Sequence, residues 1–261
     1  MFEKKVVWIT GASSGIGEAL AVAFSRQGAS LALSARRESE LERVRKRCSG
    51  DAMILPLDVT DHESMPAAVA AVCERFGQID MLINNAGISQ RSLCIDTGME
   101  VYRRIMEVDV MGQIALTRAV LPVMLEQGSG HISVTSSVAG KIGVPYRTGY
   151  CAAKHAVIGF FDALRAEVAG KGIQVATIIP GYIRTNISVA ALKGDGSTFG
   201  SVDDSIAGGM DADRCADVIL KGIRRGKPEI PVGEGVEMKA LWIKRFFPGI
   251  VFKKTAAMLK N

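Results

Sequence analysis

The alternation of short aliphatic runs with helical segments constrains the fold of this chain more than any other feature of its sequence. Six such runs recur, at VVWIT, LALSA, AMILPL, DMLINN, HISVTS and QVATIIP. They lack the polar alternation of half-exposed strands and therefore predict strands buried on both faces. A seventh strand is predicted near KPEIPV, after a helix from about Ala212 to Arg225. We therefore predict an α/β fold of Rossmann type, a doubly wound, parallel, seven-stranded sheet with helices on both faces in a three-layer sandwich.

No internal repeat or low-complexity linker divides the 261 residues, so we predict a single domain over residues 1–261. Hydrophobic residues make up 48% of the chain, which is ample for a core. The segment from Ser188 to Met210 breaks the rhythm of strands and helices because it is rich in Gly, Ser and Asp. We predict a mobile substrate lid there.

Several functional classes are disfavoured by composition. The five cysteines are scattered, with neither CxxC pairs nor metal-ligand spacing to the three histidines, so we expect reduced thiols and no metal site. The opening MFEKKVVWIT runs straight into a strand, and no run of about 18 uncharged apolar residues follows. We therefore expect no secretion signal, no spanning helix and a cytoplasmic protein. The net charge is a modest +5 and lysines and arginines alternate with acids in most segments, so nucleic-acid binding is not expected.

The tail from Lys239 to Asn261 interleaves aromatic residues with lysines. This pattern is typical of a segment that rests on a membrane surface, and equally of a C-terminal helix and turn at a subunit interface. We favour the interface over peripheral membrane contact.

A glycine-rich turn follows the first strand directly. In TGASSGIGEALAVAF, Gly11, Gly15 and Gly17 permit a tight turn and close approach of the backbone to a pyrophosphate. The helix that follows would direct its free N–H groups and positive dipole end at the phosphates. The first interval is longer than in G-x-G-x-x-G, so the turn alone also fits glycines that merely cap a strand-to-helix connection.

Four motifs in order along the chain resemble those of the short-chain dehydrogenase/reductase family. TGASSGIG is similar to the family's coenzyme turn, and NNAG at Asn84 to Gly87 to its sheet-stabilising motif. Tyr150-x-x-x-Lys154 is similar to its active-site pair, and PGYIRT, from Pro180 to Thr185, to the segment that meets the nicotinamide. The resemblance covers nearly the whole chain. It implies an oxidoreductase that interconverts a carbonyl and an alcohol, assembled as a homodimer or homotetramer through long apolar helices.

The resemblance also implies a set of cofactor-binding residues. Asp58 would approach the adenine with the Val59 backbone beside it, although Asp58 also fits a helix cap. Asn85, Ala86 and Gly87 would border the adenosine ribose. The other implied contacts are Gly11, Ser13, Ser14, Gly15, Ile16, Gly17, Tyr150, Lys154, Pro180, Gly181, Ile183 and Thr185.

The end of the second strand, LALSARRESE, bears on the choice between NAD and NADP. Ala35 stands where NAD-binding members carry an acid for the ribose hydroxyls, and Arg36 and Arg37 follow it. A guanidinium offers planar, bidentate donors to a phosphate. We therefore predict NADP(H), with Arg36 on the 2′-phosphate. Arg37 alternatively pairs with Glu38 or Glu40 on the helix surface.

Tyr150 and Lys154 lie four residues apart, so a helix places them on one face. A phenol is a poor base at neutral pH, but a neighbouring ammonium favours the phenolate and suits it to proton transfer with a carbonyl oxygen. The resemblance implies that Lys154 also reaches the nicotinamide ribose. Ser137, at the end of HISVTSS, is predicted to hydrogen-bond the substrate oxygen, with Ser136 as the alternative.

Asp109 is the one departure from the family pattern, because relatives commonly have an asparagine whose backbone helps to hold a water near the lysine. The carboxylate either preserves this relay and holds Lys154 protonated, or alters it, since an unpaired buried carboxylate costs free energy. We include Asp109 in the catalytic set with Ser137, Tyr150 and Lys154. It also suggests an alternative, a catalytically impaired nucleotide-binding or regulatory protein on the same fold.

Overall fold

The structure, a computed structural model, describes residues 2–259. Met1 therefore lies outside the described residues, as do Lys260 and Asn261 of the predicted tail. Seven strands form one sheet in the order β3-β2-β1-β4-β5-β6-β7, and every pair is parallel. The strands are β1 (Val6–Thr10), β2 (Ser30–Ser34), β3 (Ala52–Ile54), β4 (Met81–Asn84), β5 (Gly130–Thr135), β6 (Ile173–Pro180) and β7 (Glu229–Val232). The predicted seven-stranded parallel sheet is confirmed.

Helices fill the connections between the strands. They are α1 (Gly15–Ser25), α2 (Glu38–Arg45), α3 (Met65–Phe76), α4 (Met99–Met106), α5 (Gly112–Gln127), α6 (Thr148–Glu167), α7 (Asp204–Ala207), α8 (Ala212–Arg224), α9 (Val236–Phe246) and α10 (Pro248–Ala257). The helix predicted to begin at Ala212 does so and ends at Arg224.

Two hydrophobic cores sandwich the sheet, because successive side chains of a strand point to opposite faces. In β1, Val7 and Ile9 enter the core formed with α1, α2 and α8. Val6 and Trp8 enter the core formed with α3, α4, α5 and α6. All of β1 is buried, which explains its continuous apolar run.

Strand β1 lies between β2 and β4, and this position locates a crevice. From β1 the chain builds β2 and β3 on one side, then crosses to β4 and builds the rest on the other. The connections leave neighbouring carboxyl ends in opposite directions at this point, which opens a crevice where ligands bind in such sheets.

Residues 99–127 run as one continuous helix through α4, a π-helical turn (Glu107–Met111) and α5. Length and composition alone would allow this helix to cross a membrane, contrary to our expectation from sequence. Half of its most apolar 18-residue window is buried in the fold, where it serves as a core helix. The π-helical turn contains Asp109, and such turns occur often at functional sites.

The lid predicted at residues 188–210 is irregular apart from α7, and it is attached to the rest of the fold. The N–H of Leu192 donates to the Ser89 carbonyl at 2.8 Å, and the N–H of Arg91 donates to the Leu192 carbonyl at 2.8 Å. Their partners, Ser89 and Arg91, lie in the loop that follows β4. The mobility of this segment stays a prediction.

Candidate active site

A cavity of about 910 Å³ lies at the carboxyl edge of the sheet, and it gathers nearly all of the residues predicted from sequence. Its walls include Gly11, Ser13, Ser14, Gly15, Ile16, Arg36, Arg37, Asp58, Val59, Asn85, Ala86, Gly87, Ser137, Tyr150, Lys154, Pro180, Gly181, Ile183 and Thr185. Two predicted residues are not part of the wall. Gly17 packs behind the glycine turn, and Asp109 is buried behind Lys154.

The glycine turn is packed so closely that no side chain fits at Gly11 or Gly17. Gly11 has a φ of 63°, and a Cβ there would lie 2.8 Å from the Ala86 Cα. A Cβ on Gly17 would lie 2.2 Å from the Gly11 carbonyl oxygen. The structure therefore favours close backbone approach over the simple cap reading of these glycines.

The amino end of α1 faces the cavity through Gly15 and Ile16. Within the described residues, the Ser14 hydroxyl forms no cap hydrogen bond, so the first-turn N–H groups are available to an anion. Arg43 holds this turn against α2, donating to both Glu18 carboxylate oxygens at 2.7 and 2.8 Å and to the Ser13 carbonyl at 3.1 Å. Sequence reasoning missed this role of Arg43.

Arg36 and Arg37 line the cavity at the end of β2. The sequence left open a surface pairing of Arg37 with Glu38 or Glu40, but Glu40 pairs with Arg43 instead. Among residues 2–259, neither Arg36 nor Arg37 forms an ion pair. Both guanidinium groups are free to meet an anionic ligand.

Asp58 lines the cavity and also caps a turn. Its Oδ1 accepts from the Thr60 N–H at 3.0 Å and from the Thr60 hydroxyl at 2.8 Å. Burial raises the pKa of Asp58, but these bonds, together with the charges of Arg36 and Arg104, give a net lowering. The capped segment is a turn before α3, whose own N-cap is Ser64. The predicted capping role is therefore partly right, since Asp58 caps a turn instead of a helix, and Asp58 still lines the cavity.

Thr10 and Asn85 fix the junction of β1 and β4. The Thr10 hydroxyl oxygen accepts from the backbone N–H groups of Asn85 and Ala86 at 3.0 and 3.1 Å. The Asn85 amide nitrogen donates to the Thr10 carbonyl at 3.1 Å. The Asn84 amide donates to the Thr117 hydroxyl at 2.9 Å. These bonds agree with a sheet-stabilising role for NNAG, and they leave the Asn85 backbone along the cavity wall.

Tyr150 and Lys154 lie in the first half of α6, both buried, with the Lys154 Nζ 5.5 Å from the centre of the Tyr150 ring. The ammonium donates to the Thr135 carbonyl at 3.0 Å. It also forms an ion pair with Asp109, whose Oδ2 lies 3.0 Å away. The Asp109 Oδ1 accepts from the Ile88 N–H at 2.8 Å. Asp109 is fully buried, so its charge acts mainly on Lys154.

The pair shifts the proton affinities of both groups. Burial by itself lowers the pKa of Lys154, but the Asp109 carboxylate and the Tyr150 phenol raise it above its usual value. Burial raises the pKa of the Asp109 carboxyl, and Lys154 and the Ile88 N–H only partly oppose this. The arrangement keeps Lys154 cationic beside the phenol.

The two candidate serines are separated by their contacts. The Ser136 hydroxyl donates to the Lys154 carbonyl at 2.8 Å and is committed to the α6 backbone. Among residues 2–259, the Ser137 hydroxyl oxygen accepts from the Ala139 N–H at 3.1 Å, and the hydroxyl donates to the Pro180 carbonyl over a long 3.5 Å. Ser137 is therefore the serine with a hydroxyl available in the cavity.

The substrate side of the cavity comes from elements without sequence motifs. Its apolar lining from the lid and the two last helices includes Ile187, Val189, Ile206, Val236, Ala240, Ile243, Ile250, Val251 and Met258. Arg147, three residues before Tyr150, also lines it. The Asp203 carboxylate joins Arg147 at 3.0 Å and Arg91 at 3.1 Å, which ties the lid to the start of α6. Sequence reasoning missed Arg147, Asp203 and the Thr135 carbonyl.

The sequence matches one family model and several curated proteins along most of its length. A family model described as short chain dehydrogenase matches residues 5–195. The Drosophila melanogaster "Dehydrogenase/reductase SDR family protein 7-like" is 45% identical, over 98% of this chain and 82% of that protein. The human "Dehydrogenase/reductase SDR family member 7" is 44% identical, over 93% and 74%.

Solved structures share the fold. A short-chain dehydrogenase from Streptomyces avermitilis has a TM-score of 0.82 and 31% identity, over 98% of this chain and 95% of that one. A Burkholderia phymatum short-chain dehydrogenase/reductase in complex with NAD has a TM-score of 0.79 and 26% identity, over 88% and 89%. An alcohol dehydrogenase from Thermococcus sibiricus, complexed with 5-hydroxy-NADP, has a TM-score of 0.74 and 27% identity, over 88% and 96%.

Proposed function

Because the chain belongs to the short-chain dehydrogenase/reductase family, we propose that it is an NADP(H)-dependent oxidoreductase that interconverts a ketone or aldehyde and its alcohol, with Tyr150 as acid and base. The observation that carries the proposal is the buried Lys154 cation 5.5 Å from the Tyr150 ring, in the same cavity as the glycine turn. When bound, the nicotinamide supplies or accepts the hydride that accompanies proton transfer.

The residues present fit a dinucleotide. At Gly11 and Gly17 the turn has no room for a side chain, which lets the backbone approach a pyrophosphate, and the amino end of α1 offers N–H donors. Asp58 and the backbone of Asn85 to Gly87 line the wall beyond it. Lys154 is held at the far side by Asp109 and the Thr135 carbonyl.

Proton transfer follows from three side chains. In reduction, the Tyr150 hydroxyl donates its proton to the substrate carbonyl oxygen while Ser137 donates a hydrogen bond to the same oxygen. The Lys154 ammonium stabilises the phenolate that forms. In oxidation, the phenolate takes the proton from the alcohol. Asp109 acts through Lys154, which it keeps charged and fixed in place.

The choice of NADP(H) is supported by Arg36, since it lines the cavity beyond Ala35 without an acidic partner among residues 2–259. We expect Arg36→Ala to weaken NADPH binding by roughly tenfold or more and to leave NADH binding nearly unchanged. Titration of protein fluorescence with each nucleotide measures this. Arg45→Ala, on the exposed surface of α2, the helix that follows Arg36, serves as the control. Equal losses for both nucleotides with Arg36→Ala would refute the phosphate contact.

The alternative function is a nucleotide-binding or regulatory protein without turnover, which would follow if the hold of Asp109 and the Thr135 carbonyl on the Lys154 ammonium blocks the proton relay. Consumption of NADPH by the wild-type protein with a panel of aldehydes and ketones separates the two. The apolar lining of the cavity predicts faster turnover of lipophilic carbonyls than of small polar ones. NADPH binding without turnover of any member of the panel would favour the regulatory protein.

We also propose a homodimer or homotetramer. The helix of residues 99–127 exposes four large apolar side chains, Met99, Met106, Met111 and Leu125, which suit a subunit interface. Light scattering of the purified protein gives its mass directly. The cytoplasmic location stays a prediction from sequence.

A further inference from the structure

The last two helices concentrate the exposed apolar surface of the molecule. Of the fifteen large hydrophobic residues exposed among residues 2–259, eight lie between residues 236 and 259. They are Val236, Trp242, Phe246, Phe247, Ile250, Phe252, Met258 and Leu259. We call these exposed side chains and their basic neighbours the C-terminal face. A patch of this kind on an otherwise ordinary surface marks a site of interaction.

The C-terminal face is also strongly basic. Residues 236–259 contain five basic residues and one acidic residue, a net charge of +4, whereas the whole chain has a formal net charge of +5. The basic residues are Lys239, Lys244, Arg245, Lys253 and Lys254. The rest of the molecule is therefore nearly neutral, and the positive charge is concentrated where the apolar side chains are exposed.

Helix α9 separates an inner from an outer side. Met238 and Leu241 pack against the buried cluster of Val138, Ile142, Ile179 and Val251 at the edge of the cavity. Lys239, Trp242 and Phe246 recur at helical spacing on the other side, and Trp242 is 71% exposed. One side of the helix is apolar and packs on the fold. The other side carries both aromatic and basic residues and faces outward.

Two kinds of occupant compete for this face, and its charge favours one of them. In a twofold contact, each copy presents the same patch, so the five basic residues of one copy would meet those of the other. A lipid surface with anionic headgroups instead attracts the basic residues and accepts the aromatic side chains at the boundary of its apolar interior. The helix of residues 99–127, with acids and bases mixed around its exposed methionines, is better suited to contact between copies.

We propose that the C-terminal face docks on the surface of an anionic lipid bilayer. Trp242, Phe246 and Phe252 enter the interfacial layer, and the basic residues contact the headgroups. The docking is peripheral, because α9 and α10 are amphipathic helices of eleven and ten residues, too short to span a bilayer.

Docking has a consequence for substrate entry that rests on the proposed function. Val236, Ile250 and Met258 are exposed on the C-terminal face and also line the cavity, so the cavity wall and the docking surface share side chains. A lipophilic carbonyl dissolved in the bilayer would pass between α9 and α10 without crossing bulk water. Bilayer binding itself requires neither cofactor nor turnover.

Co-sedimentation of the purified chain with phosphatidylcholine vesicles, with and without phosphatidylserine, tests the docking. We expect the protein to pellet with the anionic vesicles and to leave them as salt is raised. The triple variant Trp242→Ser, Phe246→Ser, Phe252→Ser should lower the partition coefficient by roughly tenfold or more. The matched control is Ile95→Ser, Met99→Ser, which removes exposed apolar side chains elsewhere and should bind as the wild type does.

Circular dichroism and NADPH binding establish that each variant is folded before its partitioning is compared. Failure of the wild type to pellet with anionic vesicles would overturn the proposal, as would equal binding to both vesicle compositions. Light scattering distinguishes the rival occupant. If the triple variant dissociates an oligomer that the control variant leaves intact, the face is a contact between copies. If the wild type binds anionic vesicles but oxidises no NADPH with any carbonyl of the panel, the proposed function is contradicted and the docking remains supported.

Discussion

The glycine turn after β1 and the segment after β6 both border the cavity, but they are packed to different extents. In the turn, Gly11 and Gly17 lie directly against backbone atoms, and a Cβ on Gly17 would lie 2.2 Å from the Gly11 carbonyl oxygen. After β6 the packing varies along the chain: a Cβ on Gly194 or Gly209 would clash with a backbone carbonyl oxygen, whereas Gly196, Gly200 and Gly249 have nothing within 4 Å of such a position. The nucleotide side is therefore held by close backbone packing, whereas the substrate side alternates between anchored and open positions.

The largest expected effect is at Gly17 in the glycine turn. Gly17→Ala should lower the free energy of unfolding by roughly 4 kcal/mol and abolish NADPH binding, because backbone atoms cannot move aside as a side chain can. Gly249→Ala, in the open amino end of α10, should change stability by less than about 1 kcal/mol. Urea unfolding of both variants measures the contrast. Equal effects would show that the two regions are not differently constrained.

The next effect is at the buried ion pair on the nucleotide side. Asp109→Asn should lower the free energy of unfolding by about 3 kcal/mol, because it leaves the Lys154 charge buried with only the Thr135 carbonyl as partner. Adding Lys154→Met should recover much of the loss, since the unpaired charge is then absent. Failure of the second substitution to recover stability would contradict an electrostatic cause.

The same variant has a pH dependence that follows from the two pKa shifts. Because the pKa of Lys154 is raised, its favourable contribution is complete below the ordinary lysine pKa and is lost as pH rises through the raised value. Because the pKa of Asp109 is raised from 3.8, the carboxyl becomes neutral on acidification earlier than an ordinary aspartate. A raised carboxyl pKa means that the folded state takes up the Asp109 proton before the unfolded state does, so acidification adds to the stability of the wild type. The stability difference between wild type and Asp109→Asn should therefore shrink as pH rises through the raised pKa of Lys154 and grow as pH falls through the raised pKa of Asp109. A difference that shrinks on acidification from neutral pH would contradict these signs.

The smallest expected effect is on the substrate side. Asp203→Asn removes the charge that joins the lid to Arg147 and Arg91, while an asparagine still caps α7. The free energy of unfolding should fall by only about 1 kcal/mol. The KM for a carbonyl substrate should rise more than kcat falls, because the lid wall is displaced while Tyr150 is not. A proportionate loss in kcat alone would place Asp203 in the chemistry instead.

The sequence predicted the fold because the strands are buried on both faces. Runs such as VVWIT in β1 and QVATIIP in β6 are apolar for that reason, and all seven predicted strands are present. The helix of residues 99–127 was harder to judge. Its apolar composition reflects packing in the core, and composition does not distinguish such a helix from one that spans a membrane.

The candidate site also contains residues that the sequence predicted and residues that it did not. Gly11, Gly17, Tyr150 and Lys154 were predictable because they lie in ordered motifs that resemble those of the family. Arg147 and Asp203 meet across 56 residues, and no spacing rule connects them. The lining from α9 and α10 was equally hidden, because the tail pattern fitted both packing and surface exposure, and the structure shows both.

In the proposed mechanism the Tyr150 phenol transfers the proton beside the Lys154 cation, and the variant Tyr150→Phe removes that proton while keeping the ring. Steady-state oxidation of NADPH with the best carbonyl of the panel gives turnover, and fluorescence titration gives NADPH affinity. We expect a loss in kcat of roughly 10²- to 10⁴-fold, with NADPH affinity within about twofold of the wild type. Turnover within about tenfold of the wild type, with NADPH bound normally, would contradict it.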